Sequence, residues 1–133
     1  MCINMVNSSV FNYINVLDKA ADASWTRNTV LANNIANVST PNYKRQDVSF
    51  ETYLRNAINS DSVLDNAINQ MDLNTINSTI YTDHSNLSTR LDGNNVDIDV
   101  EESNYAENQI SYNALLDSIS HEFKRLNSVV KNI

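Results

Sequence analysis

Residues 98–133 read IDVEESNYAENQISYNALLDSISHEFKRLNSVVKNI, and in them Ile98, Tyr105, Tyr112, Ile119, Leu126 and Ile133 recur every seven residues without a break. Leu116, Phe123 and Val130 follow four places after members of that series, and Leu115 and Val129 three places after. An apolar stripe with this period runs along one side of an α-helix. The spacing predicts a helix over roughly residues 100 to 131. Asp99 and Glu102 stand at capping-box spacing for its first turn, with Asp in place of the usual Ser or Thr.

The other end of the chain carries the same pattern in looser form. Ile3, Val10, Leu17, Leu31 and Val38 share one seven-residue register, which Ser24 interrupts. Val6, Tyr13 and Ala20 fall on a second register and Ile14, Ala21 and Ile35 on a third, so together they form the stripe of a second long helix. Asn7 or Ser8 can cap its start. Pro41 ends it by pushing Thr40 into an extended conformation. At 1.5 Å per residue each helix is roughly 45 to 50 Å long. Neither can bury its stripe alone, and a sustained heptad favours left-handed packing on a partner helix.

The expected fold is therefore mainly α. Two long terminal helices pack as an antiparallel coiled-coil-like pair, around a poorly ordered middle with short helices and a short strand or hairpin. The chain divides into an N-terminal helix at 1–40, a connecting region at 41–97 and a C-terminal helix at 98–133. In the middle, Phe50, Tyr53, Leu54, Ala57 and Ile58 suggest one short helix, and Val63, Leu64, Ala67, Ile68 and Met71 another. Residues 75 to 82 suggest a strand. Asp92-Gly93-Asn94-Asn95 reads as a turn before the alternating Val96, Ile98 and Val100. Residues 61 to 107 hold ten acidic groups and one basic, too much charge for their apolar content, so 60 to 90 are expected to be mobile in the free protein.

Composition narrows function. A chain of 133 residues, 41% apolar, with one Gly and one Pro is the size of one domain and is neither collagenous nor a linker. Its apolar runs fall far short of the ~20 residues that span a bilayer. The net charge of −7 opposes binding to a polyphosphate backbone. Cys2, the only cysteine, leaves no intramolecular disulfide and no thiolate metal cluster. Residues 1 to 9 lack the basic and apolar regions of a Sec-type signal. Asn is abundant, at 23 residues, and is a poor helix former, so the helices must owe their stability to packing.

Motifs for catalysis are missing. His84 and His121 lie outside any HExxH or HxH pattern. Placing Gly93 at the sixth position of a calcium loop puts Arg90 at the third, where a cation defeats the site. A single glycine excludes G-x-S-x-G and phosphate-cradling loops. No catalytic, cofactor-binding or metal-binding residue is expected.

The specific constellation is the end of the first helix, Leu31-Ala32-Asn33-Asn34-Ile35-Ala36-Asn37-Val38-Ser39-Thr40-Pro41-Asn42-Tyr43-Lys44. Asn33, Asn34 and Asn37 stand where the helix must stop, able to bond orphan carbonyls or nearby backbone before the proline turn. This is a rigid corner. The stretch resembles the N-terminal signature of bacterial flagellar rod and hook proteins, in which a long helix ends in L-A-N-N-I-A-N followed by a T-x-G-[YF]-K turn. The likeness continues into Asp47, Val48 and Phe50. Gly93 to Asp99, followed by Ala106-Glu107-Asn108-Gln109 and Tyr112, resembles the proximal-rod members, and the short chain has no room for the inserted domains of hook and distal-rod relatives. The resemblance covers about residues 26–54 and 91–133. Asn42 departs from it, standing where the family usually has Gly; Asn is the next most tolerant residue for a left-handed turn.

The resemblance implies a structural subunit of the proximal rod, built into a hollow drive-shaft tube by its terminal helices. It implies export from the cytoplasm by the flagellar type III apparatus without a cleaved Sec signal. The partners it implies are further copies, other rod proteins, the rod-to-MS-ring adaptor protein and the export gate, with no nucleic acid. The alternative is a secretion chaperone or adaptor that holds a client with the same amphipathic helices. On either reading the helix-packing seam is expected at Val10, Leu17, Leu31, Ile98, Tyr105, Tyr112, Leu116, Ile119, Phe123 and Leu126. The assembly corner is expected at Leu31, Asn33, Asn34, Ile35, Asn37, Thr40, Pro41, Asn42, Tyr43 and Lys44.

Overall fold

The computed structural model describes residues 9–58, 68, 77–83 and 91–131. Helix α1 spans Ser9–Ala36, strand β1 Gln46–Ser49, helix α2 Glu51–Ile58, strand β2 Thr79–Thr82 and helix α3 Ile98–Lys131. α1 and α3 have 28 and 34 residues, which makes them about 42 and 51 Å long. They pack against each other over an extended contact. Ser24 meets Asn108 while Asn34, further along α1, meets Glu101, so the helices run antiparallel. The expected capping positions Asn7 and Ser8 lie outside the described residues.

α1 buries more than one stripe because it has two partners. Ile14, Ala21 and Leu31 are buried on the registers read from the sequence, and Val16, Ala23 and Val30 form a further buried register. Ala23 packs against Phe50, with Ala20, Val48 and Leu54 around the pair. Here the segment that begins with β1 is pinned to the flank of α1. Phe50 also opens α2, its carbonyl accepting the Leu54 N–H at 3.0 Å. The second expected short helix lies outside the described residues except for Ile68, which is helical and buried.

β1 and β2 form a two-stranded antiparallel sheet with Gln46 opposite Thr82, Asp47 opposite Tyr81, Val48 opposite Ile80 and Ser49 opposite Thr79. β2 falls within the expected 75–82 strand. Residues 46–49 gave no strand signal, because four residues with Gln and Asp among them carry too little β-propensity to read alone.

The start of α3 corrects one expectation. Asp97, not Asp99, is the N-cap: its Oδ1 accepts the Asp99 and Val100 N–H groups at 3.1 and 3.4 Å, and its carbonyl accepts the Glu101 N–H at 2.9 Å. The capping-box pairing of Asp99 with Glu102 is therefore not used. The alternation of Val96, Ile98 and Val100 also stops being extended at Asp97. Val96 is buried, whereas Ile98 and Val100 lie exposed on the first helical turn.

The line that α3 turns most deeply toward α1 lies beside its apolar period and shares the seam with only part of it. The buried residues of α3 are Glu101 and Asn108, seven apart, and Leu115 and Glu122 continue their line half-buried. Tyr112, Ile119 and Leu126 are half-buried beside it. Ile98, Tyr105, Leu116, Phe123 and Val130 stay exposed, Leu116 at 41% and Phe123 at 50%.

Candidate assembly site

The corner is built on the end of α1. The Asn37 N–H reaches the carbonyls of Asn33 and Asn34, both at 3.1 Å, and Val38 N–H that of Ile35 at 3.2 Å. The Asn37 side chain folds back, its Nδ2 donating to the Asn33 carbonyl at 2.8 Å, while Thr40 Oγ1 donates to Asn37 Oδ1 at 3.1 Å. Asn37 thus does what the sequence suggests and satisfies backbone at a helix end. Past Pro41, Asn42 adopts φ 61°, the left-handed conformation that Asn tolerates better than other side chains. Its N–H donates to the Asp92 carbonyl at 2.9 Å.

Asn34 has a different part from its neighbours. It is 0% exposed. Its Nδ2 donates to the Gln46 carbonyl at 2.7 Å and to Glu101 Oε2 at 2.8 Å. Its Oδ1 accepts the Gln46 N–H at 3.0 Å and the Tyr43 hydroxyl at 3.2 Å. Toward β1 the carboxamide thus imitates a peptide group of a neighbouring strand, and with its second N–H it holds α3. Both donors and both acceptor lone pairs are used. Asn33, one residue earlier, is exposed and contributes its carbonyl only.

Around Asn34 lies an ionic network that the sequence reading missed. Glu101, 0% exposed, accepts from Arg45 Nε; Arg45 also pairs with Asp47 at 2.8 Å, and Asp47 with Arg27 at 3.0 Å. Burial by itself pushes the Asp47 carboxyl up, but hydrogen bonds from Arg27, the Val48 N–H and Arg45 outweigh it and hold the carboxyl below its ordinary value. Burial likewise opposes the Arg45 charge, and Glu101 and Asp47 overcome it and raise the guanidinium further. Burial, and then the charge of Glu101, push the Tyr43 hydroxyl up. The network ties α1, β1 and α3 at one point.

A second tie comes from the loop before α3. Asn94, 1% exposed, offers its Nδ2 to the carbonyls of Asn37, Val38 and Thr40 at 2.9 to 3.0 Å. These are carbonyls left over where α1 stops. Lys44 Nζ donates to the Gly93 carbonyl at 2.7 Å, and the Arg45 N–H to Asn95 Oδ1 at 2.8 Å. Gly93 has φ 74°, and a Cβ there would stand 3.0 Å from Asn42 Oδ1. Further along the helices Asn108 Nδ2 donates to the Ser24 carbonyl at 2.9 Å and to Asn28 Oδ1 at 2.8 Å.

Of the expected corner residues, Leu31 and Asn34 are fully buried, and Ile35, Asn37, Tyr43 and Lys44 are half-buried. Asn33, Thr40, Pro41 and Asn42 face outward. Of the expected seam, Leu31 is in the core, and Leu17, Tyr112, Ile119 and Leu126 are half-buried. Val10 lies on the first turn of α1. Ile98, Tyr105, Leu116 and Phe123 are exposed in the single chain. The missed residues had one signal, the second seven-residue line of Glu101, Asn108, Leu115 and Glu122, hidden beside a stronger apolar one.

The structure is thus a pair of long antiparallel helices joined by a polar corner, with part of the apolar stripe of α3 exposed. Residues 14–44 match the family described as flagella basal body rod protein. The chain is 32% identical over 115 residues to the flagellar basal body rod protein FlgB of Bacillus subtilis, covering 86% of this chain and 89% of the relative. It is 36% identical over 128 residues to the protein of that name in Borrelia hermsii, with 89% and 95% covered, and 37% over 127 residues to that of Borreliella burgdorferi, with 83% and 89% covered. The chain belongs to the FlgB family of flagellar basal-body rod proteins. It is a structural subunit of the rod, and nothing in these matches supports the chaperone alternative. Among the described residues no helix is long and apolar enough to cross a membrane.

Proposed function

We propose that the chain is a non-enzymatic protomer of the proximal rod, set into a hollow drive-shaft tube beside the MS ring and the export gate. Residues 1–40 and 98–133 serve as its core helices and 41–97 as the connection between them. The observation that carries this reading is the division of labour on α3, whose polar line of Glu101 and Asn108 is turned inward while Ile98, Tyr105, Leu116 and Phe123 remain outside. A subunit that needed only its own fold would bury the apolar line, which stabilises more per side chain. The corner from Leu31 to Lys44 fixes the direction in which α1 ends and thereby the surface offered to neighbours, among them other rod proteins, the MS-ring adaptor and the export gate.

The test is an image of intact basal bodies from cells in which this chain, carrying a dense tag on the 59–76 segment, replaces the native subunit. Tag density in a ring at the base of the rod is expected. Normal rods without such density would refute the placement.

A further inference from the structure

β2 is an edge strand with its outer side open. The Asp83 N–H donates to the Arg45 carbonyl at 2.8 Å, and in an antiparallel ladder such bonded pairs alternate with pairs that turn their backbone groups away from each other. Gln46 stands opposite Thr82 and Val48 opposite Ile80, so the N–H and carbonyl of Ile80 and Thr82 point away from β1. The Gln46 groups bear out this phase, since both are bonded to the Asn34 side chain on the far side of β1. Nothing corresponding to Asn34 stands beside β2 among the described residues. Ile80 is 51% exposed and Tyr81 46%. Thr79-Ile80-Tyr81-Thr82 contains no lysine or proline, the residues by which edge strands are commonly kept from pairing, and its register with β1 runs without a bulge. Tyr81 also lines a cavity of about 640 Å³ between α1, α3 and the β1–α2 segment. The charged groups of that lining are Arg27, Asp47, Glu51 and Glu107. Arg27 pairs with Asp47 and Glu51 with Arg55, whereas Glu107 is exposed and has no cation beside it among the described residues.

We propose that β2 takes up an extended segment of another protein as a third, antiparallel strand, with a lysine or arginine of that segment opposite Tyr81. The backbone groups of Ile80 and Thr82 offer a donor and an acceptor each, at the two-residue spacing that a strand presents. The residue of the added strand opposite Tyr81 carries its side chain on the Tyr81 face, at the mouth of the cavity. A long cationic side chain there lies against the tyrosine ring and is drawn toward Glu107. The surroundings favour a basic segment, since residues 61 to 107, in which β2 lies, hold ten acidic groups and one basic. A second copy is a poor occupant. Lys44 and Arg45, the cations of the extended stretch before β1, are bonded within the chain, and pairing two chains of charge −7 through β2 brings their acidic middles together. The contact goes beyond the rod reading and uses none of the α3 stripe.

The experiment uses the purified full chain, isotope-labelled for nuclear magnetic resonance, and a capped synthetic peptide of alternating valine and threonine with lysine at its centre. Amide hydrogen exchange is followed residue by residue without and with the peptide. The peptide is expected to slow exchange at Ile80 and Thr82 about ten-fold or more. Thr79 and Tyr81, whose N–H groups already face β1, should not change. A peptide with glutamate at its centre should give no protection, and neither should one N-methylated at the two residues flanking the lysine, which lacks the donors that face β2. Glu107→Gln should weaken binding of the lysine peptide about three- to five-fold, the size of an exposed ion pair. No protection at millimolar peptide, equal protection by the glutamate or N-methylated peptide, or unchanged affinity in Glu107→Gln would each overturn the proposal. Protection of Ile80 and Thr82 that rises with protein concentration in the absence of peptide would overturn it in favour of a second copy. The rod reading is scored separately, by whether the tagged chain enters basal bodies.

Discussion

Adjacent asparagines at 33 and 34 offer a sharp contrast, since one is exposed and the other is 0% exposed with four hydrogen bonds between 2.7 and 3.2 Å. Asn34→Ala strands the Gln46 N–H and carbonyl and one Glu101 oxygen in the interior. The Tyr43 hydroxyl, on a half-exposed residue, can turn to water. A neutral hydrogen bond contributes about 1 kcal/mol net and one to a charged group about 1.5 to 3, more when the partner is left buried and unsatisfied. Two neutral bonds and one charged bond give a loss of about 3 to 5 kcal/mol, a large part of the 5 to 15 that hold a domain together. Asn33→Ala loses no side-chain bond and gains up to about 0.5 kcal/mol of helix propensity. Urea unfolding followed by circular dichroism should show the Asn34 variant melting far below the original and the Asn33 variant at or slightly above it. Midpoints within about 0.5 kcal/mol of each other would refute the view that Asn34 joins three elements.

Asn42→Gly should be neutral or mildly stabilising and Asn42→Val should cost about 1 to 2 kcal/mol, because φ 61° suits Gly and opposes a β-branched side chain; thermal melts and motility of complemented cells both read this. Asp47 has its carboxyl held below the ordinary value, so the stability it adds is present above about pH 4 and is lost as pH falls through the lower folded value. The unfolding midpoint of the original chain should fall below pH 4, and Asp47→Asn should flatten that acid limb while lowering stability at pH 7. Leu31→Asp buries an unpaired charge and should unfold the chain, whereas Leu116→Asp, at a half-open position, should leave circular dichroism unchanged and prevent incorporation into rods. Asp97→Ala should cost about 1 kcal/mol through loss of the cap, and Asp99→Ala only a few tenths, as measured by chemical denaturation.

The long helices were legible because their cause is written locally. Period and Pro41 set the end of α1 and the extent of α3 within a few residues. The left-handed turn at Asn42 could be read too, since a residue after a proline and in place of a glycine has few other conformations to serve. What could not be read was anything that depends on a partner distant in the chain. Asn34 looks like a helix-end residue in sequence and becomes a hub only when Gln46 and Glu101 arrive beside it. Asn94 caps carbonyls more than 50 residues away. β1 exists because β2 and Asn34 satisfy its two edges, not because its own residues favour a strand.

That part of the expected α3 seam stays exposed in the single chain has a general cause. A seven-residue apolar period establishes that a stripe exists, but says nothing of what covers it. In this chain the inward line pairs Glu101 with Arg45 and Asn34, and Asn108 with Ser24 and Asn28. Polar pairs at a helix seam fix register at some cost in stability, since a shift by one turn leaves every one of them unpaired. Leucines there would hold the pair more tightly and tolerate slippage. For a building block the exchange is favourable, because an error in register within one subunit displaces the surfaces it offers to the next. The same arrangement leaves part of the apolar line, Ile98, Tyr105, Leu116, Phe123 and Val130, outside, where on the proposed function its burial would join subunits instead of closing the monomer. The polar interior of the helix pair and the exposed stripe of α3 are thus one design, in which rotation of a single helix divides the work of shape from the work of assembly.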